Sequence, residues 1–288
     1  MRRCAAMSER HHSLIGLPDS GKTTFLAAFW HLLNSGETDS IWVLDHLDGD
    51  NQYLEAIAGA WRSGDEVPHT SMQSERTVVI HVRNQTSGEI LALSFPDLSG
   101  ESFDMQCIVR RCKPEYVQRI SAGGGILLFV NANKPTDGIT ILDLGELAQV
   151  DQQSESKPWT AKMIPEQVRL VELLQFVTRR PFQRRKRRLA IVVSAWDTVL
   201  EPRPAPEDWL ARERPLLHQY LISNSAMWTH RVFGVSAQGG DVNIAEKKAA
   251  LLELTPSSKI ECVGPGVESP HDLTCPVRWV CMETSNDD

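Results

Sequence analysis

Residues 16–24 read GLPDSGKTT and fit the spacing Gly-x4-Gly-Lys-Thr in full. Gly16 and Gly21 let the backbone curl until successive N–H groups face one centre, and the N-terminus of a following helix adds more donors. A loop of this kind cradles a β-phosphate. Its Lys, here Lys22, reaches the β- and γ-phosphates, and its hydroxyl residue, here Thr23, binds Mg²⁺. Asp19, Ser20 and Thr24 complete the candidate nucleotide-binding stretch. The flanks agree with this reading. HSLIGL before the loop has the composition of a short buried strand, and TTFLAAFWHLL after it carries apolar residues at helical spacing. Strand, glycine loop and helix in that order point to an α/β fold.

The rest of the chain continues the alternation. Strands are expected near 12–16, 77–83, 90–96, 125–131, 188–194 and 231–236, and helices near 22–34, 52–62, 103–119, 165–178, 207–222 and 243–253. That order favours a mostly parallel central sheet flanked by helices. Pro165 suits a first helical position. Ile164, Val168, Val171, Leu174 and Val177 would give that helix one apolar face, while Pro215 should break or kink the helical stretch after 207. Two segments look inserted. One, about 40–62, brings a possible short strand and a helix; the other, about 133–162, is mostly polar and reads as a surface excursion. The expected organisation is an N-terminal extension (1–11), one nucleotide-binding domain (12–254) and a tail (255–288). The tail is rich in Pro and Gly, with order expected only where Pro276, Trp279 and Val280 dock.

Composition narrows the function classes. With 30 Lys and Arg against 37 Asp and Glu, the net charge is −7, which argues against a general nucleic-acid binder. One stretch departs from this: RRPFQRRKRR (179–188) holds seven basic residues. It reads either as a solvated loop or as a contact patch for a partner, nucleic acid or an anionic membrane. The six cysteines (4, 107, 112, 262, 275, 281) form no CxxC pair, as expected for reduced thiols in a cytoplasmic protein. No apolar run is long enough to span a bilayer, and MRRCAAMSER lacks the apolar core of a secretory signal. His11 and His12 precede the first strand; two adjacent side chains there diverge, so no metal site is expected. No Ser-His-Asp or Cys-His arrangement is apparent.

Further pieces of a nucleotide site follow the loop in order. ILALSFPDLSGESF runs an apolar strand into Asp97-Leu98-Ser99-Gly100-Glu101. An Asp at that strand end can hold Mg²⁺ through water, and the Gly100 N–H can sense a γ-phosphate whose loss would release the loop. A plain β-turn is the other reading. RLAIVVSAWD ends at Asp197, where a carboxylate can accept the N1 and N2 hydrogens of guanine; a solvated strand-end Asp is the alternative. RVFGVSAQGG ends in Ser236-Ala237-Gln238, where a backbone N–H can meet guanine O6. Arg110 or Arg111 offers either an arginine finger in cis or a surface ion pair.

Together GLPDSGKTTFLAAFWHLL, DLSGE, LAIVVSAWD and VSAQ, with PHT at 68–70, resemble a Ras-like P-loop GTPase of the translation-factor class. More narrowly they resemble the type-two double-GTPase domains of bacterial conflict systems, over roughly residues 10–255. The resemblance implies a Ras-like sheet, GTP/GDP with Mg²⁺, and a regulatory or effector role beside protein partners encoded nearby. It also implies a first-switch Thr at Thr70 that ligates Mg²⁺. Metal contacts would then come from Thr23, Thr70 and Asp97, and catalysis from Lys22, Thr70, Gly100 and Glu101. Two departures stand out. Ser194-Ala195-Trp196-Asp197 replaces Asn-Lys-x-Asp, so the Lys stem that covers the base is missing, and Trp196 either stacks there or belongs to the core. Glu101 stands where a water-orienting Gln is usual. An ionised carboxylate accepts a hydrogen bond from water but donates none, so slow hydrolysis is expected. A nucleotide-holding pseudo-GTPase and a P-loop ATPase are the alternatives.

Overall fold

The computed structural model describes residues 11–38, 40–67, 77–96, 106, 109–134 and 164–282. The expected sites Thr70, Asp97, Gly100 and Glu101, nearly all of the 133–162 segment and residues 103–105, 107 and 108 of the helix expected at 103–119 lie outside the described residues; the helix described in that stretch runs only over Pro114–Ser121.

Among the described residues eight strands form one sheet in the order β2-β3-β4-β1-β5-β6-β7-β8. They are β1 (His11–Gly16), β2 (Trp42–Asp48), β3 (Thr77–Asn84), β4 (Ile90–Pro96), β5 (Ile126–Asn131), β6 (Arg187–Ser194), β7 (Trp228–Ser236) and β8 (Glu261–Val263). Pairs β4–β1, β1–β5, β5–β6 and β6–β7 are parallel, whereas β2–β3, β3–β4 and β7–β8 are antiparallel. The six strands expected from sequence all form, and they make the centre of the sheet. The additional strands sit at its two edges: β2 comes from the 40–62 segment and β8 from the residues after 254.

The described α-helices are α1 (Lys22–Ser35), α2 (Asn51–Arg62), α3 (Pro114–Ser121), α4 (Glu166–Phe176), α5 (Pro206–Glu213), α6 (Pro215–Ser223), α7 (Ala245–Leu252) and α8 (Thr274–Cys281). Pro215 divides α5 from α6, as its lack of a backbone N–H requires. Pro165 caps α4 instead of opening it. The apolar face of that helix also differs from expectation. Leu170, Val171, Leu173, Leu174 and Val177 are buried, while Val168 is exposed.

Two apolar layers cover the sheet because its strands alternate their side chains. From β5, Leu127 and Phe129 point to one layer and Ile126, Leu128 and Val130 to the other; β6 splits its residues the same way. The first layer holds α1, α2 and α8, and the second holds α3 to α6. Helix α1 is buried almost all round, from Phe25 to Leu33, since α2 packs against it in the same cluster. Its Trp30 donates to Glu55 of α2 at 2.9 Å.

The tail is more ordered than its composition suggests. Pro276, Trp279 and Val280 are buried as expected, and the guanidinium groups of Arg188 and Arg231 each stand 5.3 Å from the Trp279 ring centre. Helix α8 also passes close to the start of β5, where a Cβ on Gly125 would lie 2.6 Å from the Val280 carbonyl oxygen.

Candidate nucleotide site

Parallel strands β1, β5, β6 and β7 end on the same edge of the sheet, and ligands of open α/β sheets bind outside such carboxyl ends. The phosphate loop leaves β1 there. Both of its glycines are sterically required. A Cβ on Gly16 would meet Ser20 Oγ at 2.6 Å, and one on Gly21 would meet Ser194 Oγ at 2.9 Å. Gly21 also has φ +83°, and Asp19 takes φ 57°, a left-handed conformation that Asp tolerates better than most residues.

Three successive loop carbonyls are fastened from behind. Lys134 Nζ donates to the Pro18 carbonyl, Asn131 Nδ2 to that of Asp19 at 2.7 Å, and Ser194 Oγ to that of Ser20 at 2.9 Å. In a trans peptide the C=O and the next N–H point in opposite directions. Fastening these carbonyls therefore turns the N–H groups of Asp19, Ser20 and Gly21 toward the cleft that these residues line. Lys22 Nζ reaches the carbonyls of Gly16 (2.8 Å) and Leu17 (2.7 Å) and Ser20 Oγ (3.1 Å). Its ammonium thus lies across the loop, where a phosphate would draw it.

The anchors rest on a buried ionic group. Arg214 is 1% exposed; its Nη2 lies 3.4 Å from Glu166 Oε2, and Lys134 Nζ lies 3.9 Å from Glu166 Oε1. Arg214 also donates to the carbonyls of Asn131 and Lys134, both at 3.3 Å. Glu166 of α4 and Arg214 at the junction of α5 and α6 thereby hold Asn131 and Lys134, two of the three loop anchors. Sequence reading placed Asn133 and Lys134 at the start of a surface excursion. In the structure they stand beside the phosphate loop, and Asn133 lines the cleft.

The cleft is a cavity of about 670 Å³, within the usual range for small-ligand sites. Asp19, Ser20, Gly21, Lys22, Thr23 and Thr24 line one part; Ala195, Asp197, Ala237 and Gln238 line another. Asp197 sits in a 3₁₀ turn (Trp196–Thr198), and Ser236 Oγ donates to its Oδ1 at 2.5 Å. Ser236 is 1% exposed and does not line the cleft; it orients Asp197. A carboxylate has about four acceptor positions, so this bond leaves room for two base N–H groups.

The Ala237–Gln238 loop is held from the insertion. Trp61, fully buried at the end of α2, donates from Nε1 to the Ala237 carbonyl at 2.8 Å, and Gln238 Nε2 donates to the Trp61 carbonyl at 3.4 Å. Lys259 Nζ stands 5.7 Å from the Trp61 ring centre.

The family model for Double-GTPase 1 matches residues 13–280. The chain belongs to that family. The double-GTPase kinship read from the sequence therefore stands, with type one in place of the expected type two. No curated protein matches the chain. Among solved structures, that of Methanosarcina barkeri Roco2 RocCORdC bound to GDP matches 86% of this chain and 50% of its own, with 11% identity and a TM-score of 0.32. This chain thus spans half the length of that one.

Within this double-GTPase the loop residues from Asp19 to Thr24 converge with Asp197, Ala237 and Gln238 on one cleft. Gly16 lies behind it as a packing residue. Trp196 does not reach it. Its ring is 1% exposed, 6.2 Å from that of Trp209, and fills the space over Gly234, where a Cβ would lie 2.3 Å from the indole. Trp196 is a core residue, and no aromatic cover for a base comes from it. Tyr53, Asp65 to Val67 and Asp241 to Asn243 also line the cleft; no local pattern in the sequence marks them.

Other residues singled out in the sequence make local contacts. Arg110 pairs with Glu172 at 3.4 Å on the surface. His12 is buried and accepts from the Gly125 N–H at 3.0 Å. In the basic stretch, Arg185 and Arg187 donate to carbonyls at the end of α3, including that of Ile120. Burial lowers the Arg187 pKa to about 10, and the group stays cationic at a helix C-terminus, where a positive charge is favoured. Among the described residues no helix is long and apolar enough to cross a membrane.

Proposed function

We propose that this double-GTPase is a Mg²⁺-dependent GTP switch with slow hydrolysis, serving as a regulatory or effector component of a bacterial multi-protein conflict system. The observation that carries the reading is the shared cleft. A phosphate loop and a serine-held Asp197 line one cavity of about 670 Å³.

In this reading the N–H groups of the loop hold the β-phosphate and Lys22 leaves the loop carbonyls for the β- and γ-oxygens. Asp197 accepts from guanine N1 and N2, and Ala237 faces O6. Thr23 fits a hard cation, since its hydroxyl belongs to the helical turn that lines the cleft; Thr70 and Asp97 complete the proposed set. Bound Mg²⁺ supplies neutralisation of charge on the transferring phosphoryl group. Gly100 senses the γ-phosphate, and Glu101 holds the attacking water. The exposed part of 179–188 is the proposed contact for a protein partner, and the cytoplasm the proposed compartment.

Competition binding with GTP and ATP tests base choice. GTP should win by at least tenfold, because a site built for hydrogen bonds rejects a misfit strongly. Asp197→Asn should clearly narrow that margin. A parent that prefers ATP would refute the guanine reading. Single-turnover hydrolysis separates a slow enzyme from a scaffold that only holds nucleotide.

A further inference from the structure

The inserted edge strand carries a second cluster, unrelated to the nucleotide cleft. Strands β2 and β3 run antiparallel with His46 opposite His81. Asp48 follows His46 by two residues and so shares its face. The register slips between Leu44 and His46, which makes Asp45 the extra residue of a β-bulge. Bulges re-aim side chains and are frequent beside functional sites.

The ligating atoms of His46, Asp48 and His81 all lie within 4.8 Å of one another. His81 is buried and its Nε2 is 3.1 Å from Asp48 Oδ2. The two imidazoles are stacked, with centres 3.7 Å apart and planes 12° from parallel. His46 Nδ1 contacts Asp45 Oδ2 at 2.7 Å, and the other Asp45 oxygen is paired with Arg83. With Nδ1 committed to a carboxylate, His46 presents Nε2 as its free lone pair. A carboxylate that orients a histidine in this way is the usual support of a metal-binding imidazole.

We propose that His46, Asp48 and His81 bind one divalent transition metal of the zinc class, with Asp45 positioning His46. Two imidazoles and a carboxylate suit Zn²⁺, Co²⁺ or Ni²⁺ and disfavour Mg²⁺ and Ca²⁺, which prefer all-oxygen sites. Metal–ligand bonds near 2.0–2.1 Å place tetrahedral ligand atoms roughly 3.3 Å apart. His81 is fixed by burial, whereas His46 and Asp48 are exposed and can rotate to close that gap. Three protein ligands leave a fourth position for water or for a donor from a partner. The metal would clip β2, an edge strand, to β3. It would also fix the entry to α2, whose N-cap Asp50 lies two residues beyond Asp48.

The test uses tag-free, chelator-stripped full-length protein and calorimetric titration with Zn²⁺, with Co²⁺ absorption as a report of geometry. In the absence of nucleotide the parent should bind one equivalent and melt at a higher temperature with Zn²⁺, and Mg²⁺ should do neither. His46→Asn and Asp48→Asn alter exposed side chains, so the fold survives. Each should weaken Zn²⁺ at least tenfold and abolish the thermal shift. Asp45→Asn should weaken Zn²⁺ by about ten- to a hundredfold while leaving one equivalent bound, as expected for a positioning residue. No binding by the parent, or binding unchanged in both His46→Asn and Asp48→Asn, overturns the proposal. So does binding that is lost instead in Glu207→Gln, which alters the carboxylate shared by His218 and His230.

Discussion

Trp61→Phe isolates what the insertion does for the cleft. The parent indole is fully buried and gives one hydrogen bond, to the Ala237 carbonyl at 2.8 Å. Phe keeps the ring against His31, whose centre is 5.2 Å away, and removes the donor. The Ala237 carbonyl is then left buried without it, at a cost of about 1–3 kcal/mol. The smaller ring leaves a void worth about 1 kcal/mol more at about 24 cal/mol per Å³. Stability should therefore fall by about 2–4 kcal/mol, read from the urea midpoint at constant slope. The same change frees the Ala237–Gln238 loop. GTP affinity should drop about tenfold, or about 1.4 kcal/mol, while ATP affinity changes little, so the ratio between them shrinks. Competition binding measures that ratio. If stability falls as expected and the ratio stays at the parent value, β7 alone sets the base loop, and the insertion has no part in recognition.

Three other changes probe separate parts of the molecule. Lys22→Ala removes a charge-assisted contact to the phosphates, worth about 1.5–3 kcal/mol; calorimetry with a non-hydrolysable GTP analogue should read at least a tenfold loss with the melting temperature retained. Arg214→Met breaks the buried pair with Glu166 (3.4 Å) and should destabilise by about 3–5 kcal/mol; Glu166→Leu added to it should recover part of the loss in a urea titration. The Glu207 carboxyl is held below its ordinary 4.5 by hydrogen bonding from His230, against the opposing push of burial. A lowered folded pKa gives stability that is present above the ordinary value and lost as pH falls through the folded one. The gap in melting temperature between parent and Glu207→Gln should thus be open at neutral pH and close in acid below 4.5.

What the sequence reveals well is what lies within one stretch of chain. The phosphate loop, the six central strands and the turn ends at Asp197 and Ser236 are each written in adjacent residues, so spacing alone exposes them. Contacts between distant stretches leave no such trace. Nothing in the residues around Lys134 announces that its ammonium will meet the Pro18 carbonyl, or that Glu166 and Arg214 will hold it there. Trp196 was legible only as a choice between base and core, because the missing Cβ of Gly234, on a different strand, decides it. The tail misleads through composition. Its glycines and prolines make turns that bring the chain back, with the Cys262 N–H donating to the Pro270 carbonyl at 2.6 Å, so that β8 can join the sheet.

The cleft is divided between the two layers that cover the sheet. The phosphate loop is fastened through Lys134, Asn131 and Ser194, and the first two are held by Arg214, at the junction of α5 and α6, and its partner Glu166 of α4, in one layer. Trp196 buries the root of the Asp197 turn in that same layer, against Trp209. The Ala237–Gln238 loop belongs to the other side, where Trp61 holds it from α2. The Ser236 hydroxyl joins the halves, donating to Asp197 from the β7 side and accepting from the Gly239 N–H at 3.1 Å. A base bound in the cleft would touch both halves, whereas a triphosphate would touch mainly one. The two supports can therefore be weakened separately, and helix α2 supports the Ala237–Gln238 side of the cleft although Trp61 and Ala237 are far apart in the chain.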